Sequence, residues 1–374
     1  MKKILLVGDG NHQFLRYLVV WLKKFNSDQL IIDILSTTII IEDSLYDHIY
    51  YVENNPKIIN KIPKIRSLWF RKQFMRQFKS LYHNYDIVNF HFISSLFLHI
   101  AKIKFSTKII LSFWGSDFYR SNKINKRILR KLMYNSNSIT VTNPQMKKDI
   151  NDYYNNFNKH IEIVRFGLEP LEDIKNGKGS KVVSKKALEL KDDKIIVCVG
   201  YNKSPHQNHI EILRSIESKL TQAEKNNIII ILPLTYSGNS KYLDELNIFL
   251  SDYTIKYKTF LKFMTNEEVA ALRKATDIFI QLQTTDQFSG SMQEHMYAKN
   301  IIITGSWLPY QILEDKNVYF HKIDNVDDIG NKLQWCMMNF DSEQVKVDKN
   351  DEIIYQLSAW PNVITDWNRL YDLV

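Results

Sequence analysis

Residues 2–25 read KKILLVGDGNHQFLRYLVVWLKKF, and the order of apolar residues in this stretch indicates the fold class. It begins with a short apolar run that ends at Gly8 and Gly10, and it continues with apolar residues at helical spacing. A buried strand, a tight turn and an amphipathic helix make the first half of a βαβ unit. The same pattern starts again at residues 193–202, DKIIVCVGYN. Two such starts predict two doubly wound domains.

Further short apolar runs alternate with helical stretches after each start. The predicted strands are LIIDILST (30–37), DIVNFHFI (86–93), TKIILSFWGSD (107–117), SITVTN (138–143), NIIIILPL (227–234), TFLKFM (259–264), DIFIQLQ (277–283) and NIIITGS (300–306). This alternation favours parallel sheets with helices on both faces. We expect an α/β protein with two Rossmann-like domains facing each other across a cleft, the default place for a ligand.

The composition between the two starts predicts the domain boundaries. Residues 171–193 are polar and rich in lysine and glycine, as linkers are. We therefore expect a first domain over 1–170, a linker over 171–193 and a second domain over 194–350. Residues 351–374 are expected to be helical and to pack back on the first domain.

The totals exclude several classes of protein. The 374 residues are 44% apolar and 24% charged, which is typical of a globular chain, and the longest apolar runs are too short to span a bilayer. The two cysteines, Cys198 and Cys336, have no spacing suited to a zinc site or a disulfide framework. We expect a cytoplasmic protein without a bound metal.

The net charge of +9 is unevenly distributed. Residues 1–170 carry 26 Lys and Arg against 13 Asp and Glu, whereas the remainder carries 24 against 28. A basic first half indicates an anionic partner, such as a membrane surface, a nucleic acid or a phosphorylated substrate. No helix-turn-helix, zinc-finger, KH or RNP pattern accompanies the charge, so we expect no nucleic-acid partner.

Several candidate residues follow the predicted strands of the first half. The first turn, GDGNH, lacks the GxGxxG dinucleotide pattern, which disfavours a nicotinamide cofactor. Gly8, Gly10 and Asn11 can let a substrate approach the backbone, although a tight turn explains the glycines equally well. His91 lies among aromatic residues, where a core histidine is the more common interpretation.

WGSD at residues 114–117 is a stronger signal. Gly115 frees the backbone, Asp117 can accept a hydroxyl proton or cap a helix, and Trp114 offers an apolar face on which a sugar can stack.

Polar residues also follow the first strand of the second half. The segment GYNKSPHQNH, residues 200–209, leads into a predicted helix. Amides at a helix N-terminus together with a cation form an anion site, and ordinary capping is the alternative. The candidate residues are Gly200, Asn202, Lys203, Asn208 and His209.

Residues 286–300, DQFSGSMQEHMYAKN, place two carboxylates eight positions apart around a small polar turn. A helix that starts near SGS and ends before Asn300 would direct its first amides at a phosphate group. Glu294, one turn into that helix, can then reach a ribose. Both features suit a nucleoside diphosphate.

These motifs resemble retaining glycosyltransferases of family 4 with the GT-B fold. The likeness covers nearly the whole chain, including GDG, WGSD, SITVTNPQMKKDI, IEIVRFGLE and VGYN. It implies that Glu294 binds the ribose, that Asp286 lies near the donor sugar and that His91 faces that sugar across the cleft. It places Phe288, Ser289, Gly290 and Ser291 at the donor, which the second domain would bind. The first domain would bind the acceptor, through Gly8, Gly10, Asn11, Trp114 and Gly115. Two departures stand out, since Asp286 replaces the usual Glu and Tyr201 and Asn202 replace the usual Arg and Lys.

The resemblance implies an enzyme of the hexosyltransferase type (EC 2.4) in bacterial surface polysaccharide synthesis. Its donor would be a UDP-, GDP- or dTDP-sugar, its acceptor a glycan on polyprenyl diphosphate, and no further cofactor would be required. The segment after the second start is also similar to inverting acetamido-fucosyltransferases, which leaves the stereochemistry open. A basic membrane- or nucleic-acid-binding protein without catalysis is the alternative from another class.

A basic, aromatic segment at residues 61–79 suggests where the protein would meet a membrane. Arg71, Lys72, Arg76 and Lys79 alternate with large apolar residues, so the helix can lie on the anionic inner face of the cell membrane. A core helix with solvated charges is the alternative. A second basic run, NKINKRILRKLMY (122–134), adds five positive charges.

Overall fold

The computed structural model of the chain describes residues 1–26, 29–41, 44–52, 63–155, 157–177, 179–238, 240–286 and 288–372, with the side chains of 63–65 left out. These residues form two compact units, one of Met1–Gly167 with Val363–Val374 and one of Leu168–Asn362. In both units, runs of Ile, Leu and Val form parallel strands, because such side chains fill a sheet that is buried on both faces.

The first unit is built on one parallel sheet. Its strands are β1 (Lys2–Gly8), β2 (Leu30–Ser36), β3 (Ile49–Tyr51), β4 (Ile87–His91), β5 (Lys108–Ser112), β6 (Ser138–Val141) and β7 (Ile161–Ile163). The helices between these strands are α1 (Gln13–Phe25), α2 (Pro63–Leu81), α3 (Ser116–Tyr119), α4 (Lys123–Asn135) and α5 (Pro144–Tyr154). Two 3-10 turns lie at Tyr82–Asn84 and Phe97–Lys102. The strand order is β3-β2-β1-β4-β5-β6-β7.

The second unit repeats the design. After α6 (Pro170–Asn176) and α7 (Lys181–Ala187), its strands are β8 (Ile195–Val199), β9 (Ile228–Pro233), β10 (Tyr257–Phe260), β11 (Ile278–Gln281), β12 (Ile301–Gly305) and β13 (His321–Ile323). Its further helices are α8 (His209–Lys219), α9 (Gln222–Asn227), α10 (Ser240–Ser251), α11 (Asn266–Ala275), α12 (Gly290–Tyr297), α13 (Gln311–Asp315), α14 (Ile329–Met338), α15 (Phe340–Val347) and α16 (Asn350–Ser358), with 3-10 turns at Pro205–Gln207 and Val326–Asp328. The parallel order is β10-β9-β8-β11-β12-β13. The prediction of two doubly wound α/β domains is therefore confirmed.

Residues 171–193, expected to be a linker, contain most of α6 and all of α7, and both helices belong to the second unit. Lys181 and Lys185 of α7 pair with the buried carboxylate of Asp277, at 2.7 and 3.0 Å. The lysines that make this segment look like a linker therefore attach it to the second sheet.

The last helix, α17 (Trp360–Leu370), completes the first unit from residue 363 onward. The indole Nε1 of Trp367 donates to the carbonyl oxygen of Arg165 at 2.7 Å, and Asn89 Nδ2 donates to Tyr371 Oη at 2.7 Å. Trp367 and Tyr371 are both fully buried. The core of this unit thus includes side chains from both ends of the described chain.

Candidate functional site

The topology selects one edge of each sheet. In a doubly wound sheet, ligands bind beyond the carboxyl ends of the strands at the point where the strand order reverses. That point lies between β1 and β4 in the first unit and between β8 and β11 in the second. Most residues predicted from the sequence lie in the loops at these two points.

Gly200 ends β8 in a left-handed conformation, with a φ of +64°. A Cβ at this position would lie 2.8 Å from His209 Nε2 and 2.9 Å from Gln207 Oε1. Glycine is needed both for the backbone angle and for this close approach.

Most polar side chains of the predicted anion-binding loop after Gly200 form hydrogen bonds with other residues of the protein. Asn202 Oδ1 accepts from the amide of Ser204 at 2.9 Å, and Asn208 Nδ2 donates to the carbonyl of Leu282 at 2.7 Å. His209 is fully buried, its Nδ1 lies 3.0 Å from Tyr242 Oη, and burial lowers its pKa to about 3. A neutral histidine contributes no charge to an anion site. Lys203, which is half-buried, is the residue of this loop that can do so.

A buried polar cluster that sequence analysis did not select lies beside this loop. Gln283 Oε1 accepts from Gln207 Nε2 at 2.8 Å and from Tyr201 Oη at 3.2 Å. Within the described part of the chain, Gln283 Nε2 has no hydrogen-bond partner. The sequence QLQ at residues 281–283 could have indicated this cluster, because it places a second polar residue just after the end of an apolar strand.

Glu294 is held in place by an arginine. Arg273 donates from Nε and from Nη2 to Oε2 of Glu294, at 3.0 and 2.9 Å, and both side chains are buried to about nine-tenths. Both bonds end on one oxygen, so Oε1 keeps its capacity to accept from a hydroxyl group. The remaining Nη1 lies 3.1 Å from Nε2 of His295, whose pKa burial lowers well below its usual value.

Asp286 is also positioned by a partner from another element. Its Oδ2 accepts a hydrogen bond from the hydroxyl of Tyr310, which is buried. Burial and the adjacent carboxylate raise the pKa of Tyr310 well above its usual value, so the phenol stays protonated and continues to donate. The carboxylate itself is half-buried in the loop between β11 and α12.

The helix predicted from the SGS turn is α12. Ser289 caps it, its Oγ accepting from the amide of Met292 at 3.2 Å, and Phe288 packs on the core just before the cap. The amides of Gly290 and Ser291 precede the first intrahelical bond and stay available to an anion. Ser291 Oγ is buried and has no partner among the described residues. The second unit thus groups free amides, two positioned carboxylates and unpaired polar atoms at one sheet edge.

In the first unit, the turn after β1 is tied to the loop after β2. Asn11 Nδ2 donates to the carbonyl of Ile39 at 2.7 Å, and its Oδ1 accepts from the amide of Ile41 at 2.9 Å. A Cβ on Gly10 would lie 2.5 Å from Ile40 Cδ1, whereas one on Gly8 would be 3.3 Å from its nearest neighbour. Gly10 and Asn11 therefore serve this loop, which does not support the acceptor contacts expected of them.

Asp117 holds the WGSD turn together. Its carboxylate accepts from the amides of Ile93 at 2.9 Å, Trp114 at 3.1 Å, Gly115 at 2.8 Å and Phe118 at 3.1 Å. Burial raises the pKa of Asp117, and these four amides oppose that shift. With its oxygens so occupied, Asp117 is a positioning residue, and the geometry does not support the catalytic role expected of it.

His91 lies at the end of β4, enclosed by aromatic rings. The ring centroids of Trp114, Phe166 and Trp367 are 6.1, 6.0 and 5.8 Å away. Neither ring nitrogen has a hydrogen-bond partner among the described residues, and burial lowers the pKa of His91 to about 3. At neutral pH the ring is uncharged. Gly115, with a φ of +123°, turns the chain so that Trp114 covers this histidine.

The basic segment forms α2, whose two faces differ. Phe74 and Phe78 are fully buried, while Lys72, Arg76 and Lys79 are exposed and Arg71 is half-buried. None of these four cations pairs with a carboxylate in the described ranges, and Lys61 lies outside them. The helix is thus both a core element and a carrier of unpaired positive charge.

The described residues contain no group of three or more His, Cys, Asp or Glu side chains arranged to hold a metal ion. No helix among them is long and apolar enough to span a membrane.

Comparison with known proteins identifies the fold and finds one family model that matches part of the chain. Residues 3–143 match the family model described as "Glycosyl transferase 4-like". No curated protein matches the chain. Among solved structures, a glycosyltransferase from Rickettsia africae matches with a TM-score of 0.74 and 12% identity, covering 100% of this chain and 98% of that one.

Two further structures match over nearly the full length. Alr3699/HepE from Anabaena, in complex with UDP, has a TM-score of 0.77 and 12% identity, with 100% of both chains covered. Sucrose-phosphate synthase from Thermosynechococcus elongatus has a TM-score of 0.74 and 10% identity, covering 100% of this chain and 98% of that one. The chain therefore has the GT-B fold, and its residues 3–143 match the model of the glycosyl transferase 4-like family.

Proposed function

We propose that the chain transfers a sugar from a nucleoside-diphosphate sugar to a glycan acceptor carried on polyprenyl diphosphate, during the assembly of a surface polysaccharide such as O-antigen or capsule. The observation that carries the donor half is the edge of the second sheet. There Arg273 fixes Glu294, and Tyr310 fixes Asp286, on either side of the first amides of α12.

Each part of this edge suits one part of the donor. The free Oε1 of Glu294 accepts from a ribose hydroxyl, the amides of Gly290 and Ser291 bind the diphosphate, and Asp286 accepts from a hydroxyl of the sugar. The UDP complex of the Anabaena protein and its UDP-glucose complex support a uridine nucleotide as the first to test.

The chemistry rests on stabilising the leaving group. As the bond between the sugar and the diphosphate breaks, negative charge builds on the diphosphate, and donors already aimed at it lower the barrier. The α12 amides and Lys203 supply those donors in this proposal. His91 enters as a neutral hydrogen-bonding group, because its pKa of about 3 keeps the ring uncharged.

We propose that the sugar keeps its anomeric configuration, with the acceptor attacking the face from which the diphosphate leaves. The test is the anomeric coupling in the NMR spectrum of the product, recorded before it equilibrates. A product of opposite configuration to the donor would contradict retention while leaving the donor site intact.

The donor site is tested by Glu294→Ala. We expect UDP affinity, measured by calorimetry, to fall about 10-fold or more, because the ribose contact is lost, and sugar transfer to fall with it. The matched control is Glu245→Ala, which removes an exposed glutamate of α10. This variant should bind UDP as the parent protein does. Unchanged UDP affinity in Glu294→Ala would sink the assignment.

An enzyme with a lipid-linked acceptor has to act at a membrane surface. We propose that the exposed cations of α2 attach the protein to an anionic leaflet on the cytoplasmic side. Each basic side chain near such a surface contributes about 1 kcal/mol. The variant K72Q/R76Q/K79Q should therefore leave phosphatidylglycerol vesicles, whereas K186Q/K191Q/K219Q, which removes three exposed charges from the second unit, should not. Equal sedimentation of both variants with vesicles would contradict this part of the proposal.

A further inference from the structure

The first unit has a second basic region, which lines a pocket. It lies between α4 and the C-terminal end of α5 and has a volume of about 530 Å³, within the range typical of ligand sites. Its lining includes Lys123, Ile124, Arg127, Arg130, Tyr153 and Asn155.

The charges of this pocket are uncompensated. Its lining contains no acidic residue, and Lys123, Arg127 and Arg130 make no ion pair with any residue that the structure describes. Elsewhere in the same unit, a half-buried lysine does find a carboxylate, since Lys23 pairs with Asp47 at 3.0 Å. Three unpaired cations around one concavity favour an external anion, and the guanidinium fork suits phosphate oxygens in particular.

One side of the pocket is held together by several side-chain contacts. The ammonium of Lys126 lies between two rings, 4.2 Å from the centroid of Phe118 and 4.4 Å from that of Tyr153. The hydroxyl of Tyr154, which is buried, donates to the carbonyl of Lys126 at 2.7 Å. These contacts join α4 to α5, so the pocket is a fixed feature of the packing between them.

An exposed apolar stripe runs along α4 beside the pocket. Ile124 is 74% exposed and Ile128, one turn later, is 38% exposed. The adjoining face of the same helix already fills the core with Leu129, Leu132 and Met133. The isoleucines therefore lie outside the core, and exposed apolar groups next to basic ones are typical of helices that lie in a membrane interface.

We propose that this pocket binds the phosphate of an anionic phospholipid headgroup while Ile124 and Ile128 enter the acyl region of the same leaflet. The proposal rests on the membrane association proposed above, but it concerns a different element and adds recognition of a phosphate group to attraction by net charge.

The test compares two kinds of vesicle of equal negative charge. One contains phosphatidylglycerol, and the other a succinylated diacylglycerol whose headgroup is a carboxylate. We expect the protein to prefer phosphatidylglycerol by about 5-fold or more, because the arginine fork fits a phosphate. Equal binding to the two vesicles would show attraction by charge alone and overturn the pocket.

Variants assign the preference to α4. R127Q/R130Q should lose about 30-fold in affinity for phosphatidylglycerol vesicles, which is the loss expected for two basic side chains at a leaflet. It should also lose the preference for phosphatidylglycerol over the carboxylate lipid. K102Q/K104Q, which removes two exposed charges from the same unit, should keep the preference. Circular dichroism checks that both variants fold. A control variant that also loses the preference would overturn the assignment.

Two further arms separate the sources of phosphate and the two proposals. Calorimetry with glycerol 3-phosphate should show no binding at millimolar concentration, and tight binding that depends on Arg127 and Arg130 would indicate a site for a free phosphate ester instead. If the parent protein binds no vesicle, the membrane association itself fails. If it binds and R127Q/R130Q behaves as the parent does, only the pocket fails.

Discussion

Both carboxylates of the donor edge depend on a side chain that holds them. Glu294 receives two bonds from Arg273 of α11, and Asp286 receives one from Tyr310, which lies just before α13. Neither partner is close to its carboxylate in sequence. Ligand affinity at this edge should therefore respond to residues that do not touch the ligand.

Arg273→Gln is expected to destabilise the second unit by about 3–5 kcal/mol, because it leaves the buried Glu294 charge unpaired. Urea denaturation measures the loss. Adding Glu294→Gln to that variant removes the charge, so the double variant should be more stable than Arg273→Gln alone. Strictly additive losses would mean that the two side chains do not act as a pair.

Tyr310→Phe tests the positioning of Asp286. Without the hydroxyl, the carboxylate can turn away from the sugar, so we expect KM for the donor to rise several-fold while the affinity for UDP alone stays within about 2-fold. Stability should change by about 1 kcal/mol, the usual contribution of one hydrogen bond. An equal loss of affinity for donor and for UDP would show that Tyr310 supports the whole loop and not the sugar contact.

Sequence reasoning found the carboxylates and missed what holds them, for a physical reason. Asp286, Glu294 and the helix between them are local, so spacing and turn chemistry identify them. Arg273 and Tyr310 reach the edge only through the packing of other elements, and no short pattern records that. The same limit applies to Asp117, whose four amide bonds form only once the loops after β4 and β5 meet.

At the scale of elements, alternation of apolar runs and helical stretches was enough for the two sheets. It passed over β3, β7 and β13, which are three residues each and too short for periodicity to detect. It also took 171–193 for a linker, because exposed and attached lysines look the same in a sequence. Lys181 and Lys185 form ion pairs with Asp277, and the sequence does not distinguish them from the other lysines of this segment.

Asp277→Asn should therefore release α7. Asp277 is buried and also accepts from the amide of Ile196 at 2.8 Å, so removing its charge weakens both the helix docking and the strand beside it. We expect trypsin to cleave after Lys181 and Lys185 about 10-fold faster than in the parent protein. Asp193→Asn, which changes only the exposed pair with Lys194, is the control and should leave the cleavage rate unaltered.

Across the whole molecule, buried neutral histidines link stability to pH. Burial lowers the pKa of His91 and of His209 to about 3, and that of His295 well below its usual value. Below about pH 6.5 the unfolded chain binds a proton at each of these residues and the folded chain does not. Stability should therefore fall with falling pH, by roughly 1.4 kcal/mol per pH unit for each histidine, until the folded pKa is reached.

The second unit contains two of these histidines and the first unit one. Between pH 6.5 and 5.5, hydrogen exchange corrected for its intrinsic rate should show a loss of protection with falling pH in both β8 and β1. A His209→Asn variant, which cannot titrate, should flatten the slope in β8 alone. An unaltered slope in β8 of the His209→Asn variant would contradict this account.

The return of the chain to the first unit also has a consequence for the order of synthesis. Lys2 Nζ donates to the carbonyls of Tyr371 and Asp372, at 2.9 and 2.8 Å, so the first strand waits for residues made some 370 positions later. Domains usually fold in turn as they leave the ribosome. Here the second unit is complete in the nascent chain before the first can close, and the first sheet must stay unaggregated in the meantime. A chaperone that shields that sheet during translation would reduce this risk of aggregation.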